Sequence, residues 1–254
     1  MRGVVLVVLA VLGACSSGPS QPRSPLVGRG APAVAPSPAP SIRWVDNGFE
    51  PAGLPAVATD GSIVVSADIA GDGARGNPNL RIVVRDRRDA EQRSLLVLGP
   101  DEVDRMFDTQ GAVPELTDRI AEGNRLLADL HTRHALIPLE ALTIDRVRMA
   151  HGAEQELPPA ERRRATGEHL VIDWSAGTLS VTNDDRQVLA SPVPAAWSPP
   201  DRPTCSSCPQ ACHHEPFFAS AWADVARSVA LVTITYTGTD TCWEPDAELY
   251  VISW

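Results

Sequence analysis

A chain of 254 residues with a formal net charge of −10 at pH 7 and 43% hydrophobic residues is long enough to bury one sizeable core. The acidic balance argues against a nucleic-acid partner, because phosphate binding runs on clustered Lys and Arg that release counterions. All 22 basic residues are arginine, which excludes Schiff-base chemistry, a P-loop and a Ser-x-x-Lys acylation site, since each needs a lysine amine.

At the N-terminus, Met1 and Arg2 give a short positive start, and VVLVVLAVL (4–12) forms an apolar run that ends in Gly13, Ala14 and Cys15. The run is shorter than the roughly 20 residues a membrane-spanning helix needs, and it reads as a targeting segment. Its ending, LGAC at 12–15, resembles the lipobox of bacterial lipoproteins. The resemblance implies a signal peptide over 1–14 and cleavage before Cys15. It also implies acylation of Cys15, with palmitate or a similar chain, as the anchor of a lipoprotein in the cell envelope. Ser16 stands where the inner-membrane retention signal of such proteins has Asp, which implies outer-membrane placement. The plain alternative is an ordinary secretory signal followed by a chance cysteine.

Residues 15–41 then read as a lipid-anchored tether. The stretch is rich in Pro, Ser, Gly and Ala and has no aromatic residue, so it cannot bury enough apolar surface to offset the entropy of ordering. All six tryptophans (Trp44, Trp174, Trp197, Trp222, Trp243 and Trp254) lie in 42–254, which we expect to form a single globular domain.

Within it, LPAVATDGSIVVSADIAGDGARGNPNLRIVVRD (54–86) places Pro55, Asp60 and Gly61 ahead of two strand-like runs. This layout resembles a blade of the TolB-type β-propeller. The stretch 223–254 repeats the layout with Asp224, but has Val225 in the glycine position. The resemblance implies a binding platform, although a propeller shows several copies at a fixed period. In the second run Leu80, Ile82 and Val84 alternate with Arg81, Val83 and Arg85, the pattern of a half-buried strand. In the intervening loop Asp68, Asp72, Asn77 and Asn79 lack the spacing of a calcium loop and read as turn formers.

A helical insert follows over about 101–134. Asp101 is a plausible cap for a short helix bearing Val103, Met106 and Phe107. A longer helix after Pro114 carries Leu116, Ile120, Leu127 and Leu130 on one face, with acidic residues early and His131, Arg133 and His134 late, as the helix dipole prefers. His131 and His134 are one turn apart and read as surface residues in preference to metal ligands. The basic cluster Arg162 to Arg164 reads as a solvated loop.

Leu170, Ile172 and Trp174 alternate again, and Ser175-Ala176-Gly177 turns the chain into Leu179 and Val181, a hairpin. Asn183-Asp184-Asp185 is a further polar turn. SVALVTITY (228–236) and ELYVISW (248–254) are strands joined by a loop. The expected fold class is α+β: mostly antiparallel β hairpins with the helical insert, one face partly covered by it, and disulfides as staples.

The chemistry-bearing stretch is CSSCPQACHH at 205–214, with Cys242 downstream. An even number of cysteines in an exported chain is the mark of disulfides. Three pairings are open; Cys205 with Cys208 and Cys212 with Cys242 is favoured, because the second bond would staple the Pro-rich excursion to the last hairpin loop. The alternative is a Zn or Cu site built from Cys205, Cys208, Cys212, His213 and His214. Haem attachment through CPQACH has three residues between the cysteines where the usual motif has two. Neither HExxH nor GxSxG occurs. Trp243 and Trp254 would serve a sugar platform or core packing. These features point to a non-catalytic envelope lipoprotein that binds or scaffolds a protein or envelope component. A metal or redox protein is the rival, and a hydrolase the third reading.

Overall fold

Three antiparallel sheets and a 19-residue helix carry most of the apolar runs of the sequence. The computed structural model describes residues 37–46, 48–68, 79–99, 102–103, 115–144, 163–175, 177–197, 202–203, 211–212, 216–236 and 247–254, which belong to one unit beginning at Ser37. The expected signal segment and most of the expected tether lie outside them.

The first described strands form a ribbon of β1 (Ser41–Val45) and β2 (Gly48–Ala52), with Asp46 at φ 46° after β1. Short polar side chains tolerate that left-handed conformation, which a tight hairpin turn requires. The first large sheet follows, from β3 (Ala56–Val57), β4 (Ile63–Asp68), β5 (Leu80–Asp86) and β6 (Glu91–Leu98). The turn before β4 fits the Asp-Gly signal. Asp60 Oδ1 accepts from the Ser62 amide at 2.9 Å and its hydroxyl at 2.6 Å, and Gly61 sits at φ +70°.

Beyond β6, the Gly99 amide donates to Glu102 Oε2 at 3.0 Å, while the Glu102 and Val103 amides donate back to the Gly99 carbonyl. Gly99 thus holds the cap position expected of Asp101, which lies outside the described residues; Val103 is fully buried. The long helix, α1 (Leu116–His134), buries Leu116, Leu126, Leu127 and Leu130. Gly123 lets it approach the sheet closely: a Cβ there would lie 3.0 Å from the Ile42 and Ile82 methyls. The helix stops at Ala135, which takes φ 47°, ψ 65° and returns its amide to the His131 carbonyl.

The eight residues Ile137–Ile144 contribute an edge strand to each of the three sheets in turn. β7 (Ile137–Pro138) pairs with β3, β8 (Glu140–Ala141) with β16 (Pro216–Asp224), and β9 (Thr143–Ile144) with β10 (Arg163–Thr166). Leu136, Leu139 and Leu142, three residues apart, enter three different apolar clusters. The third sheet is completed by β11 (Leu170–Ser175), β12 (Thr178–Asn183) and β13 (Arg186–Pro192). Its tight turns place Gly177 at φ 75°, and Asp184 and Asp185 at φ 45° and 62°. After a 3₁₀ turn at Ala195–Trp197, a small ladder joins β14 (Arg202–Pro203) to β15 (Ala211–Cys212). Then β16, β17 (Val229–Tyr236) and β18 (Glu248–Ser253) form the second sheet as a meander.

The order of layers follows from which side chains meet. On one face of the first sheet Val65, Ile82, Val84 and Val97 pack with Leu127 and Leu130 of α1. On its other face Val57 and Val64 meet Val229, Leu231 and Val251 of the second sheet. The alternate residues of β17, among them Ala230, Val232 and Ile234, pack with Ile172, Trp174, Leu179 and Val181 of the third. The layers therefore run helix, first sheet, second sheet, third sheet, with the second sheet covered on both faces.

Double coverage corrects the strict alternation expected in β5. Val83 is fully buried and Arg85 is only 9% exposed, because a second sheet lies where solvent was expected. The coarse expectation holds: the described residues are mostly antiparallel β with one long helix.

Candidate functional site

Charge buried between layers is the first place to look for chemistry. Ser66 and Asp68 point from β4 with Arg85 from β5, all buried. The Ser66 hydroxyl donates to Asp68 Oδ1 at 2.6 Å; Arg85 donates to Ser66 Oγ at 3.3 Å and to Asp68 Oδ2 at 3.2 Å. Arg81 lies 3.6 Å from the same carboxylate oxygen. Asp68 is therefore no turn former; at the end of a strand it is buried, accepts from the Arg85 guanidinium and lies within ion-pair distance of Arg81. The group ties β4 to β5 as a polar strut between strands. Asn79 is buried just before β5, while Asp72 and Asn77 lie outside the described residues.

A second polar seam stitches the turn Arg87–Ala90 and the Asp60 turn to the second sheet. Arg87 donates to the Ser228 carbonyl at 3.2 Å and its own carbonyl accepts from Ser253 Oγ at 2.9 Å. Arg227 donates to Asp224 Oδ2 at 2.6 Å and to the Thr59 carbonyl at 3.0 Å. Asp89 Oδ1 accepts the Val251 amide at 2.7 Å; burial raises its pKa against the opposing pull of that hydrogen bond and of Arg85. The two Asp-led turns of the repeated layout thus adjoin through Arg227.

Aromatic residues gather where the second and third sheets meet. Trp174 and Trp197 have centroids 5.2 Å apart, and Phe218 and Tyr250 lie at 6.0 and 5.5 Å from Trp197. The Arg163 guanidinium stacks 4.2 Å over Trp174, and Arg164 lies 3.8 Å from Asp173 across the ladder. The basic cluster expected as a solvated loop is strand β10 at these two positions, its charges held against an indole and a carboxylate. Burial raises the pKa of Tyr236 and, helped by Glu248, that of Tyr250, whose hydroxyl donates to Glu248 at 2.7 Å. Trp254 packs partly buried against this cluster, in the core role; Trp243 lies outside the described residues.

The cysteine-bearing segments depart from one end of the second sheet. Pro216, at the start of β16, pairs with Tyr236 at the end of β17, and Ile234 pairs with Glu248 at the start of β18. Cys212 lies on β15 four residues before Pro216, and Cys242 six residues after Tyr236. Cys15, Cys205, Cys208, Cys242, His213 and His214 lie outside the described residues, as does the side chain of Cys212.

His134, at the helix end, uses its carbonyl to accept from the Thr59 amide and hydroxyl, each at 3.1 Å. Among the described residues no group of three or more His, Cys, Asp or Glu is placed to hold a metal ion, and no helix is long and apolar enough to cross a membrane. No family model, curated protein or solved structure matches the chain.

Proposed function

We propose that the protein is a lipid-anchored component of the cell envelope whose domain binds or scaffolds another envelope component without catalysing a reaction. The observation that carries this reading is LGAC at 12–15, closing an N-terminal apolar run that begins after an arginine. Cys15 is the acylated residue and the outer membrane its destination. The Pro- and Ser-rich stretch after it, followed by a unit beginning at Ser37, suits a domain held off a surface on a semi-extended tether. The polar groups described above favour a structural use: Asp68, Asp89 and Asp224 are each engaged by an arginine, an amide or both.

Within this reading Cys205 pairs with Cys208 and Cys212 with Cys242. The chain places 205 and 208 in the connection between β14 and β15, whereas Cys212 and Cys242 flank the paired residues Pro216 and Tyr236. Zinc or copper binding is the second reading. The same hairpin favours it, since it brings a Cys-x-x-Cys connection back to a strand ending in Cys212, followed by His213 and His214.

Expression in a bacterial host with an alkyne-bearing palmitate analogue tests the anchor. The wild-type chain is expected to take up the label and partition into the detergent phase, and Cys15→Ser to lose both. A wild-type chain that stays aqueous and unlabelled would overturn the proposal.

A further inference from the structure

We propose that the β1–β2 ribbon is a separately releasable unit of the domain, latched to the helix by the side chain of Asn124. The register of the ribbon leads to this. Val45 pairs with Gly48 across the turn, so hydrogen-bonded and non-hydrogen-bonded pairs alternate outward, and Ile42 falls opposite Pro51. Proline has no amide to offer, and at this position the Ile42 amide and carbonyl face away from β2. Both would be left without a strand partner. Asn124, in the middle of α1, supplies one: its Oδ1 accepts from the Ile42 amide at 2.8 Å and its Nδ2 donates to the Ile42 carbonyl at 3.0 Å. One side-chain amide thus presents the donor and acceptor that a third strand would.

What else holds the ribbon is apolar, and part of it is shared with the core between α1 and the first sheet. Ile42 is fully buried beneath α1, and Trp44 and Phe49 pack edge to face at 4.8 Å over the Leu98, Val103 and Leu116 cluster. No ladder joins the ribbon to another sheet among the described residues, and a lone two-stranded ribbon is marginal in water. It is also the first element after the N-terminal segment, so tension arriving from that side reaches the Asn124 latch before it reaches any of the three large sheets. The inference stands on the ribbon alone and does not depend on acylation of Cys15.

Hydrogen exchange on the full-length chain tests it, comparing wild type with Asn124→Ala. Losing two partly buried hydrogen bonds is expected to speed exchange in 41–52 about tenfold, while β17 keeps its protection. Trypsin should cut after Arg43 faster in the same sample. Asn124→Asp, which sets an oxygen against the Ile42 carbonyl, should behave like the alanine variant. Unchanged exchange in the ribbon with either variant would overturn the latch. Equal acceleration in β17 would overturn the ribbon's independence.

Discussion

The Asp89 carboxylate lies where the first sheet's last turn meets the edge of the second, takes the Val251 amide, and sits at φ 65°. Its neighbours are Arg85 on one side and Asp86 and Glu248 on the other, and burial outweighs the rest in raising its pKa above the ordinary 3.8. A group that holds its proton more tightly when folded favours the folded state in acid. That contribution is complete below the unfolded pKa and is lost as the pH rises through the folded one. Asp89→Asn keeps an acceptor for Val251, tolerates the left-handed backbone and cannot ionise. Urea unfolding between about pH 3 and 7 should therefore show the variant gaining on wild type as the pH rises. A constant gap would mean that burial does not control this carboxyl. Asp89, Asp68 and Asn124 share a property that hid their roles from sequence reasoning: each is defined by a partner from another element. Arg85 is 17 residues from Asp68, Ile42 is 82 from Asn124, and Val251 is 162 from Asp89.

Elements were legible where one signal dominated. β5, β11, β12, β17 and β18 carry dense β-branched or alternating runs, and α1 shows its apolar spacing and charge order. The β1–β2 hairpin went unread although its Asp46-Asn47-Gly48 turn was a usable signal. β10 is masked by adjacent arginines, and β16 mixes Ala and Ser with aromatics over a bulge between Phe218 and Ser220. The edges have their own logic. In β6 the register skips Gln92 and Val97, and in β13 it skips Val188; such bulges twist an exposed edge away from pairing with another chain. The end of α1 is a strained one, with Ala135 in the left-handed region. Ala135→Gly removes a cost of about 1–2 kcal/mol and adds back part of it as unfolded-state entropy. A net gain of about 0.5–1 kcal/mol in chemical denaturation is expected. A loss would show that the Ala135 methyl contributes more by packing than its backbone costs.

For the whole molecule, the testable matter is whether the cysteines tie one end of the second sheet. With the proposed pairing, protein oxidised during export has no free thiol, and Cys212→Ser exposes Cys242 alone to alkylation. Opening that loop of about 30 residues should lower stability by about 3–4 kcal/mol on the chain-entropy model. Alkylation at Cys205 or Cys208 in the variant would refute the pairing, and stoichiometric zinc or copper in the wild type would favour the metal reading. Spacing alone left three pairings open because it says nothing of which strand ends are neighbours; Pro216 and Tyr236 are such neighbours.

The eight residues Ile137–Ile144 give the molecule a property none of its sheets has alone. They close an edge of all three, and their neighbourhood seats Leu136, Leu139 and Leu142 in successive cores. A protease cut between Leu139 and Leu142 would leave the N-terminal fragment with β7 and the C-terminal one with β9, dividing the closing strands between two chains. Protein split there would have to reassemble as a pair to rebuild its layers, with β7 of one fragment against β3 and β9 of the other against β10. The segment is thus the molecule's spine, and the place where genetic insertion or circular permutation is least tolerated.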